Sequence, residues 1–214
     1  MDLSAIRDRA RTYFGGLSPT HDWHHVQRVA ANAKRLASQS GDPVDEDVLL
    51  AAAWLHDVGR KREDAGEIDC HAEWGAIEAR DILAGFDVDE ARIDAVAHCI
   101  RAHRFSNDVE PATAEAKLLS DADNLDAIGA VGLARTFAHT GEFERPIHDP
   151  DLPPEADDSA AGRTAFNHIH KKLLRLESRM YTDAGRELAA ERHAFMERFV
   201  ERFEQEAGGS MGDR

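Results

Sequence analysis

Apolar residues recur at intervals of three and four along almost the whole chain, and runs of alternating β-branched residues are absent. That period belongs to amphipathic helices, and half-buried strands would need a period of two, so the chain is expected to fold as an all-α protein. The periodic segments predict helices over about Asp2 to Phe14, Asp22 to Ser38, Asp45 to the neighbourhood of Gly59, Ile68 to Leu83, Asp89 to His103, Thr113 to Thr140, Thr164 to Arg179 and Thr182 to Glu206. Glycines follow several of these runs, and Asp22 stands where an N-cap is expected. The third segment, VLLAAAWLHDV, is apolar nearly all round until it reaches His56 and Asp57. Its end is therefore expected inside the molecule, where two polar groups require partners.

Between residues 141 and 163 the character changes. This stretch holds four of the seven prolines, Pro146, Pro150, Pro153 and Pro154, and predicts a long loop or lid. The helices after it carry apolar stripes (Leu173, Leu174, Leu188, Phe195 and Phe199) that must bury against something. One compact helical domain over residues 1–206 is the simplest organisation, with additional C-terminal helices, the Pro-rich loop and a frayed polar tail over 207–214.

The charge balance narrows the partners. Lys and Arg number 26 against 41 Asp and Glu, a formal net charge of -15. General binding to a nucleic-acid backbone needs a basic footprint, which this composition does not supply. A small phosphorylated substrate stays compatible, because a bound cation can supply local positive charge. No stretch of about 18 apolar residues appears, nor an apolar segment of the kind that targets a chain for export, so neither a membrane span nor secretion is expected. The two cysteines, Cys70 and Cys99, are too few for a disulfide framework, and a reduced, cytoplasmic protein is the expectation.

Three separate segments offer residues that bind metals: His25 in HDWHHVQRV, His56 and Asp57 in AWLHDVGR, and Asp123 in LLSDADNLDAIGA. Imidazole nitrogen with carboxylate oxygen suits a borderline divalent cation such as Mn, Fe, Co, Ni or Zn, with Mg compatible if more oxygens join. Adjacent side chains on a helix point about 100° apart, so His56 and Asp57 can share an ion only if it lies close to the helix. Spacing alone leaves His21 nearly as good a ligand as His25, since both share a face, and leaves Asp121 beside Asp123.

The pattern H…HD…D in a helical chain of this size resembles the HD-domain superfamily of metal-dependent phosphohydrolases. It is most similar to a compact bacterial and archaeal branch with HDWxH-x-x-RV, LHD-x-G and D-A-D-x-L-D-A-I-G-A, which read here HDWHHVQRV, LHDVG and DADNLDAIGA. The similarity continues into NHIHKKLLRLESRMYTDAGRELAAERHAFM and covers about Pro19 to Phe199. The family register selects His25 over His21 and Asp123 over Asp121, giving His25, His56, Asp57 and Asp123 as the implied metal ligands. Asn124 departs from the arginine often found after that aspartate.

The resemblance implies hydrolysis of nucleotides or related phosphate compounds, with release of pyrophosphate from nucleoside triphosphates as one form of it. Asp57 is a candidate base, and Glu63 and Glu67, just after the doublet, are candidates to position the attacking water. His71, His98 and His103 stand between the doublet and the last aspartate. Some relatives use histidines from these segments for a second metal; substrate phosphate binding or acid catalysis is the other reading. His98 and His103 are five apart, about 140° round a helix, so both should not reach one ion. Arg28, three after His25, can clamp a phosphate or pair with a buried carboxylate. His168, Lys171 and Lys172 in the late segment form a candidate polyphosphate grip. A binuclear phosphodiesterase is the alternative enzyme, although the chain reads RFSNDVEPAT after His103 and lacks the GYP-type extension of such diesterases. A metal-stabilised regulatory domain is the non-catalytic alternative.

Overall fold

The computed structural model describes residues 1–104 and 109–208. Among these residues there are ten α-helices, three short 3-10 turns and no strand, so the protein is all-α. The expected tail over 207–214 lies, from residue 209 onward, outside the described residues, and the helix before it runs to Ala207. The chain divides into two compact units.

The first unit comprises Met1–Asp126 with Tyr181–Gly185. It contains α1 (Leu3–Arg11), α2 (Trp23–Ser38), α3 (Glu46–Leu55), α4 (Arg60–Asp64), α5 (His71–Ala84), α6 (Glu90–Ala102) and α7 (Ala114–Asp126). Asp2, Asp22, Asp45 and Asp89 each accept backbone N–H groups at the start of α1, α2, α3 and α6, relieving donors that a helix leaves unpaired at its first turn. Helix α3 is the central element and packs against α1, α2, α6 and α7. Leu49, Ala51, Ala52, Ala53 and Leu55 on it are all buried, which accounts for its apolar circumference. The side chain of Glu115 on α7 accepts the Asp45 N–H at 2.8 Å, and Asn32 on α2 donates to the Ala122 carbonyl at 3.1 Å. These two contacts tie α7 to the helices that carry the motif histidines.

The second unit comprises Ala127–Met180 and the chain from Arg186 onward. It contains α8 (Gly129–Glu142), α9 (Ala165–Lys171) and all but the first residues of α10 (Asp183–Ala207). Its core includes Leu133, Ile169, Leu173 and Met196 together with the rings of Phe137, Phe166, Phe199 and Phe203. The Pro-rich stretch is fastened to α9 through Asp157, whose carboxylate accepts from Ser159 N, Arg163 N and Asn167 Nδ2 at 2.7 to 2.9 Å.

Two expectations about helices are corrected. The segment expected as one helix from Thr113 to Thr140 is two, because Gly129 adopts φ +75°, a left-handed conformation that breaks the path between α7 and α8. The segment expected as one helix from Thr164 to Arg179 stops at Lys171 and continues only as 3-10 turns at Leu173–Arg175 and Glu177–Arg179. In addition, the stretch after the doublet that reads as loop contains α4.

Candidate metal centre

The local folding of five helices brings these residues together. Asp22 caps α2 by accepting the His25 N–H at 3.0 Å, so His25 lies in the first turn and faces inward, 1% exposed. Helix α3 ends at Leu55, and the turn that follows holds His56 and Asp57, both buried. Gly59 lets the start of α5 approach this turn: a Cβ there would stand 2.7 Å from the His71 carbonyl oxygen. His71 opens α5 and His103 follows the last residue of α6. Asp123 and Asp126 lie one turn apart on α7.

The four imidazoles share one orientation. His25 Nδ1 lies 2.8 Å from Asp126 Oδ2, His56 Nδ1 2.9 Å from the Ala53 carbonyl, His71 Nδ1 2.7 Å from Glu63 Oε2, and His103 Nδ1 2.6 Å from the Ile100 carbonyl. Each of these oxygens accepts, so each Nδ1 carries the proton and each Nε2 points to a common interior. There His25 and His56 face each other at 3.4 Å between Nε2 atoms, and so do His71 and His103. Asp57 lies between the two pairs. Its Oδ2 is 3.5 Å from His25 Nε2 and 3.7 Å from His56 Nε2; its Oδ1 is 3.1 Å from His71 Nε2 and 3.9 Å from His103 Nε2. Asp123 Oδ1 completes the first pair at 3.5 Å from His25 Nε2. Its side chain keeps 30% exposure, which makes it the most open of the inward-facing groups.

Lone pairs that face one another at such distances in a buried space repel unless a proton or a cation lies between them. The donor set therefore fits a metal. His25, His56 and Asp123 each place a donor atom within 4.8 Å of the others, and His56, Asp57 and His103 do the same. These clusters suit one or two divalent cations. The charges agree. Asp126 is neutralised by Arg28, which donates from Nε at 2.7 Å and Nη2 at 3.1 Å, and Glu63 is matched by Arg60 and Arg104. Asp57 and Asp123 face imidazoles instead.

The titration behaviour follows from the same geometry. Burial pushes His103 down to about 3, helped by the neighbouring His56 and His71, and burial also lowers His56. Burial alone would raise the carboxyl of Asp57, but His56, His25 and His71 outweigh it and hold it well below the usual carboxylate range. Asp123 is likewise lowered against its burial by His25, His56 and His103. Burial would lower His71, yet its hydrogen bond and charge interaction with Asp57 raise it.

Of the other residues singled out in the sequence, His98 lies outside the cluster and accepts the Ala112 N–H at 3.0 Å. Glu67 is exposed and lies 3.7 Å from Arg62. Arg28 is engaged with Asp126. His168, Lys171 and Lys172 belong to the second unit. There His168 Nδ1 donates to the Ala161 carbonyl at 2.5 Å, the Lys171 ammonium reaches the carbonyls of Asp157 and Ser159, and Lys172 is exposed. Sequence reasoning did not single out Arg60 or Arg104. Arg60 directly follows the LHDVG motif, and that adjacency was the only available signal.

An HD doublet at a buried helix end, a second imidazole from α2 and an aspartate from α7 define a class of metal-dependent hydrolase. The HD domain family matches residues 22–128, and the chain belongs to the HD-domain superfamily of metal-dependent phosphohydrolases. It is 36% identical over 211 residues to YpgQ of Bacillus subtilis (strain 168), covering 95% of this chain and 93% of that protein. A crystal structure of YpgQ in complex with ADP matches with a TM-score of 0.73 and 32% identity, covering 94% and 97% of the two chains. A Lactobacillus plantarum protein matches at TM-score 0.77 and 32% identity over 97% of both chains. An HD-superfamily hydrolase from Bacillus thuringiensis matches at 0.75 and 33% over 96% of both. The chemistry of this protein is metal-dependent hydrolysis of phosphate compounds. No helix among the described residues is long and apolar enough to cross a membrane.

Asp126 gives a first expectation. The variant Asp126→Asn loses the charge that orients the His25 ring and pairs Arg28, so Mn affinity should fall about 10–100-fold, the usual cost of removing a partner that orients a ligand. Titration of the metal-free protein with Mn measures this. An unchanged binding curve would show that His25 needs no such support.

Proposed function

We propose that this enzyme cleaves nucleoside triphosphates at the α-phosphorus and releases pyrophosphate. The observation that carries this reading is the ADP bound to YpgQ, a relative matched over nearly the whole chain. The net charge of -15 agrees with a small nucleotide rather than a nucleic-acid strand.

A divalent cation held by His25, His56, Asp57 and Asp123 supplies Lewis-acid activation of a phosphoryl oxygen and of water. The chain's own groups do the rest. Asp126 and the Ala53 carbonyl hold His25 and His56 with their Nε2 lone pairs inward. Asp57 takes the proton of the attacking water. The water oxygen forms a bond to the α-phosphorus as the bond from that phosphorus to the bridging oxygen breaks. The β- and γ-phosphates depart together as pyrophosphate, and the nucleoside monophosphate remains. Because the donors include imidazole nitrogens, Mn and Co are expected to support more activity than Mg.

A second reading adds a second cation, and one observation favours it: Asp57 turns one carboxylate oxygen toward His25 and His56 and the other toward His71 and His103.

A product-resolved assay tests the main reading. Nucleoside mono-, di- and triphosphates and cyclic dinucleotides are incubated with Mn, Mg, Co or Ni. Pyrophosphate and monophosphate in equal amounts from triphosphates are the expected products. Orthophosphate as the first product, or cleavage confined to the cyclic dinucleotides, would overturn it.

A further inference from the structure

We propose that Glu63, clamped by Arg60 and Arg104, is a positioning residue for His71 and so governs uptake of a divalent cation on the side of Asp57 that faces His71 and His103. The proposal rests on the two-cation reading.

The four inward-facing imidazoles are held in that orientation by different partners. His56 and His103 donate to carbonyls three residues earlier, at Ala53 and Ile100, so the backbone of their own helices sets the rings. His71 has no such carbonyl, because it is the first residue of α5 and nothing helical precedes it. Its Nδ1 depends on a side chain from another element. Glu63 on α4 supplies it: Oε2 lies 2.7 Å from His71 Nδ1, and Oε1 lies 3.4 Å from the His71 backbone nitrogen.

The carboxylate is itself held in place. Arg60 donates from Nη1 to Oε2 at 2.8 Å, and Arg104 donates from Nη1 to Oε1 at 2.6 Å. A guanidinium can only donate, and an oxygen that receives these N–H groups is an acceptor. The proton between Glu63 and His71 therefore belongs to Nδ1, and Nε2 is the atom turned toward Asp57 Oδ1, 3.1 Å away. Arg104 is the residue after His103, so the clamp on Glu63 is anchored next in sequence to the other imidazole on this side. With both oxygens engaged by cationic or imidazole donors, Glu63 does not serve as a ligand itself; it fixes the tautomer and direction of a group that does.

The test counts and ranks bound metal without measuring turnover. Metal-free wild type, Glu63→Ala and Glu63→Gln are titrated with Mn, and the metal retained after dialysis is measured by elemental analysis. Wild type should bind two equivalents. Glu63→Ala should keep one equivalent at wild-type affinity and bind the other about 10–100-fold more weakly. Glu63→Gln, whose amide oxygen can still accept from Nδ1 while its NH2 faces a guanidinium, should recover part of the loss and leave the other equivalent unchanged, whereas a general disturbance of packing would weaken both. If Glu63→Ala fails to fold, Arg104→Ala is the substitute, with a smaller weakening of the same equivalent. Two equivalents of unchanged affinity in Glu63→Ala, or equal weakening of both, would overturn the proposal while leaving the two-cation reading intact. A single equivalent in wild type would remove the two-cation reading and the proposal with it.

Discussion

Asp57→Asn should reduce kcat/KM by about a thousandfold or more while leaving the helical content unchanged. Among the described residues, Asp57 is the one carboxylate that faces all four imidazoles, with each oxygen directed at a different pair. Asparagine keeps the shape but removes the charge. It also turns one oxygen into an NH2 group, which would donate to a lone pair meant for a cation and could not replace the lost ligand. Lewis-acid stabilisation of phosphoryl transfer contributes several kcal/mol, and each ~1.4 kcal/mol is tenfold in rate, which sets the scale of the loss. Far-UV circular dichroism checks the fold, and a metal titration separates lost binding from lost chemistry. Saturating Mn should restore only a small part of the rate, because the proton acceptor is missing as well as the ligand. Activity within tenfold of wild type at ordinary Mn concentrations would show that Asp57 does not belong to the catalytic centre.

The sequence made the residues of this centre legible to different depths. The doublet stood out because an apolar run of the length of α3 ends on two polar residues, and burial of such a pair requires a function or a partner. His25 and Asp123 needed the family register, since helical spacing admits His21 and Asp121 nearly as well. The supporting groups were largely beyond reach. Asp126 stands three residues after Asp123, but its bond to His25 spans 101 residues and depends on how α2 packs against α7. The clamp on Glu63 joins α4, α5 and the residue after His103, and no local pattern announces a contact of that kind.

The helix boundaries show the same division between local and tertiary information. Apolar periodicity ran unbroken from α7 into α8, and Gly129 within it is by itself a weak breaker. What stops α7 is a left-handed turn that only the folded chain requires. Near Gly132 the packing is tight enough that a Cβ would meet the Ala127 carbonyl oxygen, so the second glycine of the AIGAVG stretch is a matter of space. Position in sequence showed that both glycines were present, and it did not show that one of them turns the chain.

Asp121→Ala should destabilise the protein by about 3 kcal/mol, lowering the thermal midpoint by roughly 6–12 °C for a chain of this length. Asp121 on α7 is fully buried, and it accepts Tyr181 N at 2.8 Å, Thr182 N at 2.9 Å and Thr182 Oγ1 at 2.6 Å. It thus holds the residues that lead into α10, all of them within the first unit. Alanine leaves two backbone N–H groups without this acceptor, each costing about 1–3 kcal/mol where water cannot replace it, while relief of the buried charge offsets part of the loss. Gly185 supplies a second approach to the same contact. A Cβ at Gly185 would fall on Asp121 Oδ2, so Gly185→Ala should push the carboxylate off its donors and destabilise through the same bonds. The two substitutions act on one interaction, and the double variant should lose clearly less than the sum of the single losses. Urea unfolding of the four proteins measures the coupling. Additive losses would mean that Asp121 and Gly185 stabilise the fold independently, and the carboxylate would then not be what anchors the start of α10.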